Sequence, residues 1–337
     1  MVPTTSHQLR DALARVPDPQ PPPGVANELV AAVAADLASD AALRSLEADT
    51  YWPKWDSPWW HMLLLFELGE AARIPQRIVG AMVSGLDALP LHIFPIRPEE
   101  KRGHDPYRDS SCHCALGTMH QVLSACGVDV AARLPWIEPW FARYQMADGG
   151  LNCDETAYLV DECASSMVAT IAPFEAMLGR PTDPFVERAA ECLIGRWLVD
   201  GSPSRHNAEE RDAAPSWLLP CFPRFYFYDV LRGLSALVRW ATMSNHVLPL
   251  TAVNQAAAHL AAEHTDGIVR LRRRPWDGLT TMAHVDGQWR RGQPASRFPL
   301  LEATSALGRA CPILTRQWST TRQHLIDLID RGRIADS

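Results

Sequence analysis

Phe141-Ala-Arg-Tyr-Gln145-Met-Ala-Asp148-Gly149-Gly150-Leu151-Asn152-Cys153-Asp154-Glu155-Thr156-Ala157 is the stretch from which the fold is read. Its adjacent glycines end one helical pattern, and the reactive set Asn152, Cys153, Asp154 and Glu155 opens the next, a helix expected over residues 153–178 with a break at Pro173. On that helix Asp154, Tyr158 and Asp161 fall at i, i+4 and i+7, which puts two carboxyls and a phenol on one face. On residue types alone the same stretch reads equally as an N-capping Asn152 followed by acidic first-turn residues that the helix dipole favours.

A second cluster upstream, Cys112-His113-Cys114, follows a polar run and opens another helical segment. Cys112, Leu116, Met119 and Leu123 form its apolar stripe, and His113, Gly117 and His120 a neighbouring face with a small residue between two imidazoles. Both clusters sit at helix starts and are expected to open on the same central cavity.

Composition sets the frame for these clusters. Of 337 residues, 47% are hydrophobic and 21% charged, as in an ordinary globular protein. No run approaches the ~18 apolar residues of a membrane span, and residues 1–24 lack the apolar core of a secretory signal, so a cytoplasmic location is expected. Net charge of −7 argues against nucleic-acid binding, which needs a basic footprint. Eight cysteines in so long a chain do not form a disulfide scaffold. Cys126, Cys192 and Cys311 read as small buried hydrophobes, whereas the grouping at 112, 114, 153 and 163 invites a metal or thiolate reading. Arg270, Arg272, Arg273 and Arg274, with Arg290, Arg291 and Arg297 downstream, read as an exposed charged strand or as a clamp for a diphosphate.

Helical periodicity covers residues 25–39, 41–48, 58–72, 75–89, 128–144, 185–199, 225–243, 249–264, 300–308 and 313–330, besides the segments opened by the two clusters. Ser57 and Pro58 suit the N-cap and N1 positions of a helix that is apolar all round at its centre and is therefore an inner one. Residues 202–216 read as an exposed polar loop, and 270–274 with 288–291 as one short β-hairpin. The expected fold is all-α, about a dozen helices in hairpins with at most that hairpin as strand. Residues 1–24 are expected to be a flexible segment, 25–331 a single domain and 332–337 a tail. The pattern at Phe141, Gln145 and Gly149-Gly150-Leu151 is echoed weakly at Leu260, His264 and Asp266-Gly267-Ile268, and again at Asp286-Gly287-Gln288-Trp289. A repeat along helical hairpins implies a closed ring or a solenoid, here a ring of six helical hairpins, (α/α)6.

Phe141, Gln145, Asp148, Gly149 and Gly150 resemble the repeat of squalene-hopene cyclases and related terpenoid cyclases, with Leu151 where that family has tryptophan. The resemblance implies an α/α-toroid, a fold shared with protein prenyltransferase β subunits. Asn152-Cys153-Asp154-Glu155-Thr156-Ala157 is similar to the Asp-x-Asp-Asp-Thr-Ala motif of class II terpenoid cyclases, with Asp154 at the proton-donating position but Asn152 and Glu155 in place of flanking aspartates. The second barrel domain of those cyclases is missing. A single toroid looks more like the prenyltransferase β subunit, whose zinc is held by Asp, Cys and His.

The resemblance implies a lyase or isomerase of secondary metabolism that acts on a small apolar, isoprenoid substrate without a cofactor. Asp154 is then the general acid that starts cyclisation or isomerisation, supported by Glu155, His113 and Cys153. Trp59, Trp60, Tyr158, Phe225 and Tyr228 supply aromatic faces for carbocations, with Tyr226 beside them, and Arg224 and Arg232 join them as substrate-binding candidates. In an alternative reading, Cys112, His113, Cys153 and Asp154, with Cys114 in the same cluster, hold zinc with an open position in a transferase or hydrolase. A third is a ring that binds apolar ligands without catalysis.

Overall fold

The computed structural model describes residues 2–20, 22–161 and 163–336. Met1, Pro21, Glu162 and Ser337, which fall within the expected flexible segment, central stretch and tail, lie outside the described residues. The described chain is mostly helical, 54% helix and 6% strand, with sixteen α-helices and two small sheets.

Five helices follow one another in space as well as in sequence: Pro58–Glu67, His113–Ala125, Met167–Met177, Val230–Ser244 and Pro312–Asp330, each packed against the next. Their sequences explain why they lie inside. Met62 to Leu65 are all fully buried, so the first has no solvent face. Gly117 permits the closest of these contacts, because a Cβ there would stand 2.3 Å from the backbone nitrogen of Pro173. Pro173 has no amide hydrogen to place in that contact. Gln121 bridges the same pair by donating to the Ala172 carbonyl at 3.0 Å.

Other helices lie against these five. Asn27–Leu37 and Asp40–Ala48 pack on Pro58–Glu67, Pro184–Gly195 on Met167–Met177, and Leu250–Glu263 on Val230–Ser244. At Gly149 the repeat stretch turns with φ +90°, and a Cβ there would meet the Arg188 carbonyl oxygen at 2.1 Å. Gln145 ties this turn down by donating to the carbonyls of Gly149 at 2.7 Å and Phe185 at 2.8 Å. Gly267, in the echoing stretch, also follows a helix end with positive φ.

Several expectations are corrected. Residues 6–14 form the helix Ser6–Ala14, docked on Leu250–Glu263 and Pro312–Asp330 through fully buried Leu9 and Leu13. The tail pairs Ile334–Ala335 in parallel with Leu248–Pro249, a second strand pair beyond the one expected. The hairpin lies over Thr280–Val285 and Gln288–Pro294, and Asp286-Gly287 is its two-residue turn with φ of 52° and 74°, not a repeat element. Residues 128–144 form two helices, Val130–Arg133 and Ile137–Arg143, with Pro135 between them. The supposed exposed loop 202–216 contains buried Ser202 and Asn207, and Glu210 accepts the Met167 amide at 3.0 Å.

Residues 153–178 are not one helix. A 3-10 turn, Glu155–Tyr158, stands near the expected start, and the α-helix begins only at Met167, where Ser166 accepts from the Ala169 amide at 3.2 Å. Local bonds compete with helix here: Asn152 Oδ1 accepts from the Asp154 amide at 3.0 Å, and Asp154 from the Thr156 amide at 2.9 Å. The common face expected for Asp154, Tyr158 and Asp161 does not form.

Candidate thiol centre

Three cysteines meet. The Sγ atoms of Cys112, Cys114 and Cys153 all lie within 4.8 Å of one another, and Cys112 and Cys114 are 3.4 Å apart. On an ideal helix residues two apart diverge by about 200°. Cys112, however, is the N-cap of His113–Ala125 with extended backbone, φ −106° and ψ 163°, and its sulfur turns toward Cys114 in the first turn. Cys153 comes from the irregular turn after the glycine pair, so the two clusters do reach one mouth.

The sulfurs line a cavity of 390 Å³ whose walls include Tyr51, Trp52, Lys54, Phe94, Glu155 and Tyr226. It sits where segments preceding four of the inner helices converge: Lys54 before Pro58, Cys112 before His113, Ser166 before Met167 and Tyr226 before Val230. Hydrogen bonds from Cys114 and then Cys153 hold the Cys112 thiol well below its ordinary range against the opposing effect of burial. The same bonds push Cys114 and Cys153 up.

Lys54 stands beside this centre. Its Nζ lies 4.0 Å from the ring centroid of Tyr226 and 4.9 Å from that of Trp55. Burial lowers its pKa, and the three cysteines oppose that effect. At the rim Glu155 is held by Lys101 at 2.6 Å. Trp52, Tyr107 and Trp289 form an aromatic cluster there, Trp52 donating to the Tyr107 carbonyl at 2.8 Å.

His113 is not part of the centre. It is fully buried, its Nδ1 accepts from Trp140 Nε1 at 2.8 Å, and its Nε2 lies 3.2 Å from the Tyr158 hydroxyl. That hydroxyl also accepts the Asn152 amide at 3.1 Å and donates to the Tyr144 carbonyl at 3.0 Å. The network therefore assigns the proton to Nε2. Burial brings His113 down to about 4, so it is neutral. With both ring nitrogens engaged, His113 is removed from the catalytic and metal sets. Tyr158 is removed from the substrate-binding set, and both residues instead pin the backbone beside Cys153.

Asp154 also leaves the expected metal set. It caps the Glu155–Tyr158 turn, accepting from the Thr156 amide at 2.9 Å and hydroxyl at 2.7 Å, and it does not line the cavity. Asn is as good a cap as Asp. Asp154→Asn is therefore expected to keep both the melting temperature and whatever zinc the wild type takes up, and Asp154→Ala to cost about 1 kcal/mol. Thermal denaturation with metal analysis checks this. Zinc lost from the Asn variant would return Asp154 to the ligand set.

The expected aromatic and basic candidates divide. Trp59 and Trp60 are fully buried around Phe225, and Tyr228 donates to the Leu198 carbonyl at 2.9 Å, so these four serve the core rather than the thiol cavity. Arg224 pairs with Asp229 at 2.7 Å and Arg232 with Glu175 at 2.6 Å. Together with Phe225, Glu67 and Gln317 they line a separate cavity of 220 Å³. The arginines at 270–274 are engaged as well: Arg270 with Asp266, Arg272 with Glu263, Arg273 with Ser216 and Arg274 with Ser305. Lys54 and Tyr51 had no sequence signal beyond their place in a tryptophan-dense segment, because the cavity is assembled from distant parts of the chain.

In comparisons with known proteins, no family model, no curated protein and no solved structure matches the chain. Among the described residues no helix is long and apolar enough to cross a membrane.

Proposed function

We propose that this chain is a zinc-dependent transferase whose metal is held by Cys112, Cys114 and Cys153. The observation that carries the reading is the mutual approach of the three sulfurs on the wall of a cavity. Thiolates at about 2.3 Å from a tetrahedral zinc stand about 3.8 Å from one another. The observed separations, from 3.4 Å to within 4.8 Å, fit that requirement. Three thiolates around a divalent ion leave one negative charge, and the Lys54 ammonium lines the same cavity. When bound, the metal supplies a site that holds a substrate thiol or similar donor in its deprotonated form.

The chain's own residues do the rest. Tyr51, Trp52, Phe94 and Tyr226 offer the aromatic wall that takes an apolar substrate body. The His113, Tyr158 and Asn152 network fixes the Cys153 turn, as outer partners fix metal ligands in general. Closure of the helices into a single ring of hairpins belongs to this reading. It is supported by the order of inner-helix contacts and by the second cavity, which draws residues from all five inner helices.

Acid-initiated cyclisation with Asp154 as general acid has less support, because its carboxylate is committed to the Thr156 cap and stands off the cavity. X-ray absorption at the zinc edge of the purified protein tests the metal reading directly.

A further inference from the structure

We propose that the ligand of the thiol cavity carries a single carboxylate and that Lys54 selects it, an inference that rests on this cavity being the substrate site. Lys54 lines the cavity, and among the described residues it makes no hydrogen bond or ion pair with a protein acid. The buried arginines differ, since Arg196, Arg224, Arg232 and Arg322 each pair with a carboxylate. Among the described residues Glu155 is the only carboxylate on the cavity wall, and it is already bound to Lys101.

Four rings surround the ammonium, those of Tyr51, Trp55, Phe225 and Tyr226, at 4.0 to 5.6 Å. Such rings attract a cation and hold it in place, but they do not neutralise it. Among the described residues the sulfur cluster is the one anionic group beside it, no carboxylate is within reach, and a ligand carboxylate would supply the direct hydrogen-bonded partner that a cation shielded from water otherwise lacks. The cavity also faces the first turns of His113–Ala125 and Met167–Met177, whose dipoles add positive potential at the same end.

The charge count limits the anion. Among the described residues the lining has one point cation and no arginine. Polyanionic phosphates are gripped by several cations or by planar guanidinium forks, whereas one ammonium matches one carboxylate. The aromatic wall then takes the rest of the molecule, so the ligand class is an apolar monocarboxylic acid.

Calorimetric titration of octanoate and octan-1-ol into zinc-free and zinc-loaded protein tests this. Wild type is expected to prefer octanoate by about tenfold or more, the scale of one charge-assisted hydrogen bond. Lys54→Met is expected to lose that preference while binding octan-1-ol unchanged, which also reports an intact cavity, and Lys54→Arg to keep it. Equal binding of the two probes by wild type overturns the proposal. So does a Lys54→Met protein that keeps the octanoate preference but loses zinc, since Lys54 would then serve only as counter-charge to the cysteines. If Lys54→Met does not fold, Lys54→Gln takes its place and the wild-type preference still decides. Octanoate preference without zinc binding refutes the metal reading alone, and zinc binding without octanoate preference refutes this one alone.

Discussion

Raising the pH by one unit between about 6 and 8 is expected to tighten zinc binding about a hundredfold, because two protons leave the site for each ion bound. The sign follows from the thiols. Cys114 and Cys153 are held above their ordinary value and remain protonated through this window, whereas Cys112 is held well below it and gives up its proton most readily. A metal that takes all three as thiolates must displace two protons, each contributing about tenfold per pH unit. Competition with a chromophoric chelator, corrected for the chelator's own protonation, measures the slope. Binding that is independent of pH would exclude ligation by the two protonated thiols.

Single replacements in the triad are expected to be nearly as severe. Structural zinc sites bind with about 10–16 kcal/mol, so each of about four ligands carries about 2.5–4 kcal/mol, and its loss weakens binding by about a hundred- to a thousandfold. Cys112→Ser, Cys114→Ser and Cys153→Ser should each show this. Cys126→Ala should not, because Cys126 lies away from the cavity with its thiol directed at the Ala71 carbonyl. Equal zinc content in all four variants would remove the centre from these cysteines.

The helical class was legible because helical periodicity is local: the spans at 58–72, 249–264 and 313–330 became Pro58–Glu67, Leu250–Glu263 and Pro312–Asp330. What failed was the stretch after Gly150. Asn152 and Asp154 each accept the backbone amide two residues ahead, and such bonds are invisible to an apolar-periodicity argument. A helix drawn through that region put Asp154 on a functional face that does not exist.

The site was legible in half. That the cysteine clusters at 112–114 and 153 open on one cavity was expected from two helix starts, and the structure brings them together although only the first is one, Cys153 lying in an irregular turn. The ligand set was misjudged at His113, whose place between two cysteines suggested a metal role. Its neighbours on either side turn into the cavity, while its ring turns the other way, to Trp140 and Tyr158. Lys54 was beyond reach for a different reason, since only tertiary structure reveals that a lysine has aromatic neighbours and no acidic one.

The central claim is that Cys112, Cys114 and Cys153 form one zinc site, and X-ray absorption at the zinc edge of the purified, dialysed protein tests it most directly. The account predicts about one zinc per chain with three sulfur neighbours near 2.3 Å and one lighter ligand, and the loss of one sulfur neighbour in any zinc retained by Cys153→Ser. A zinc ion ringed only by nitrogen and oxygen, or a protein that takes up no zinc with its three thiols reduced, would contradict it.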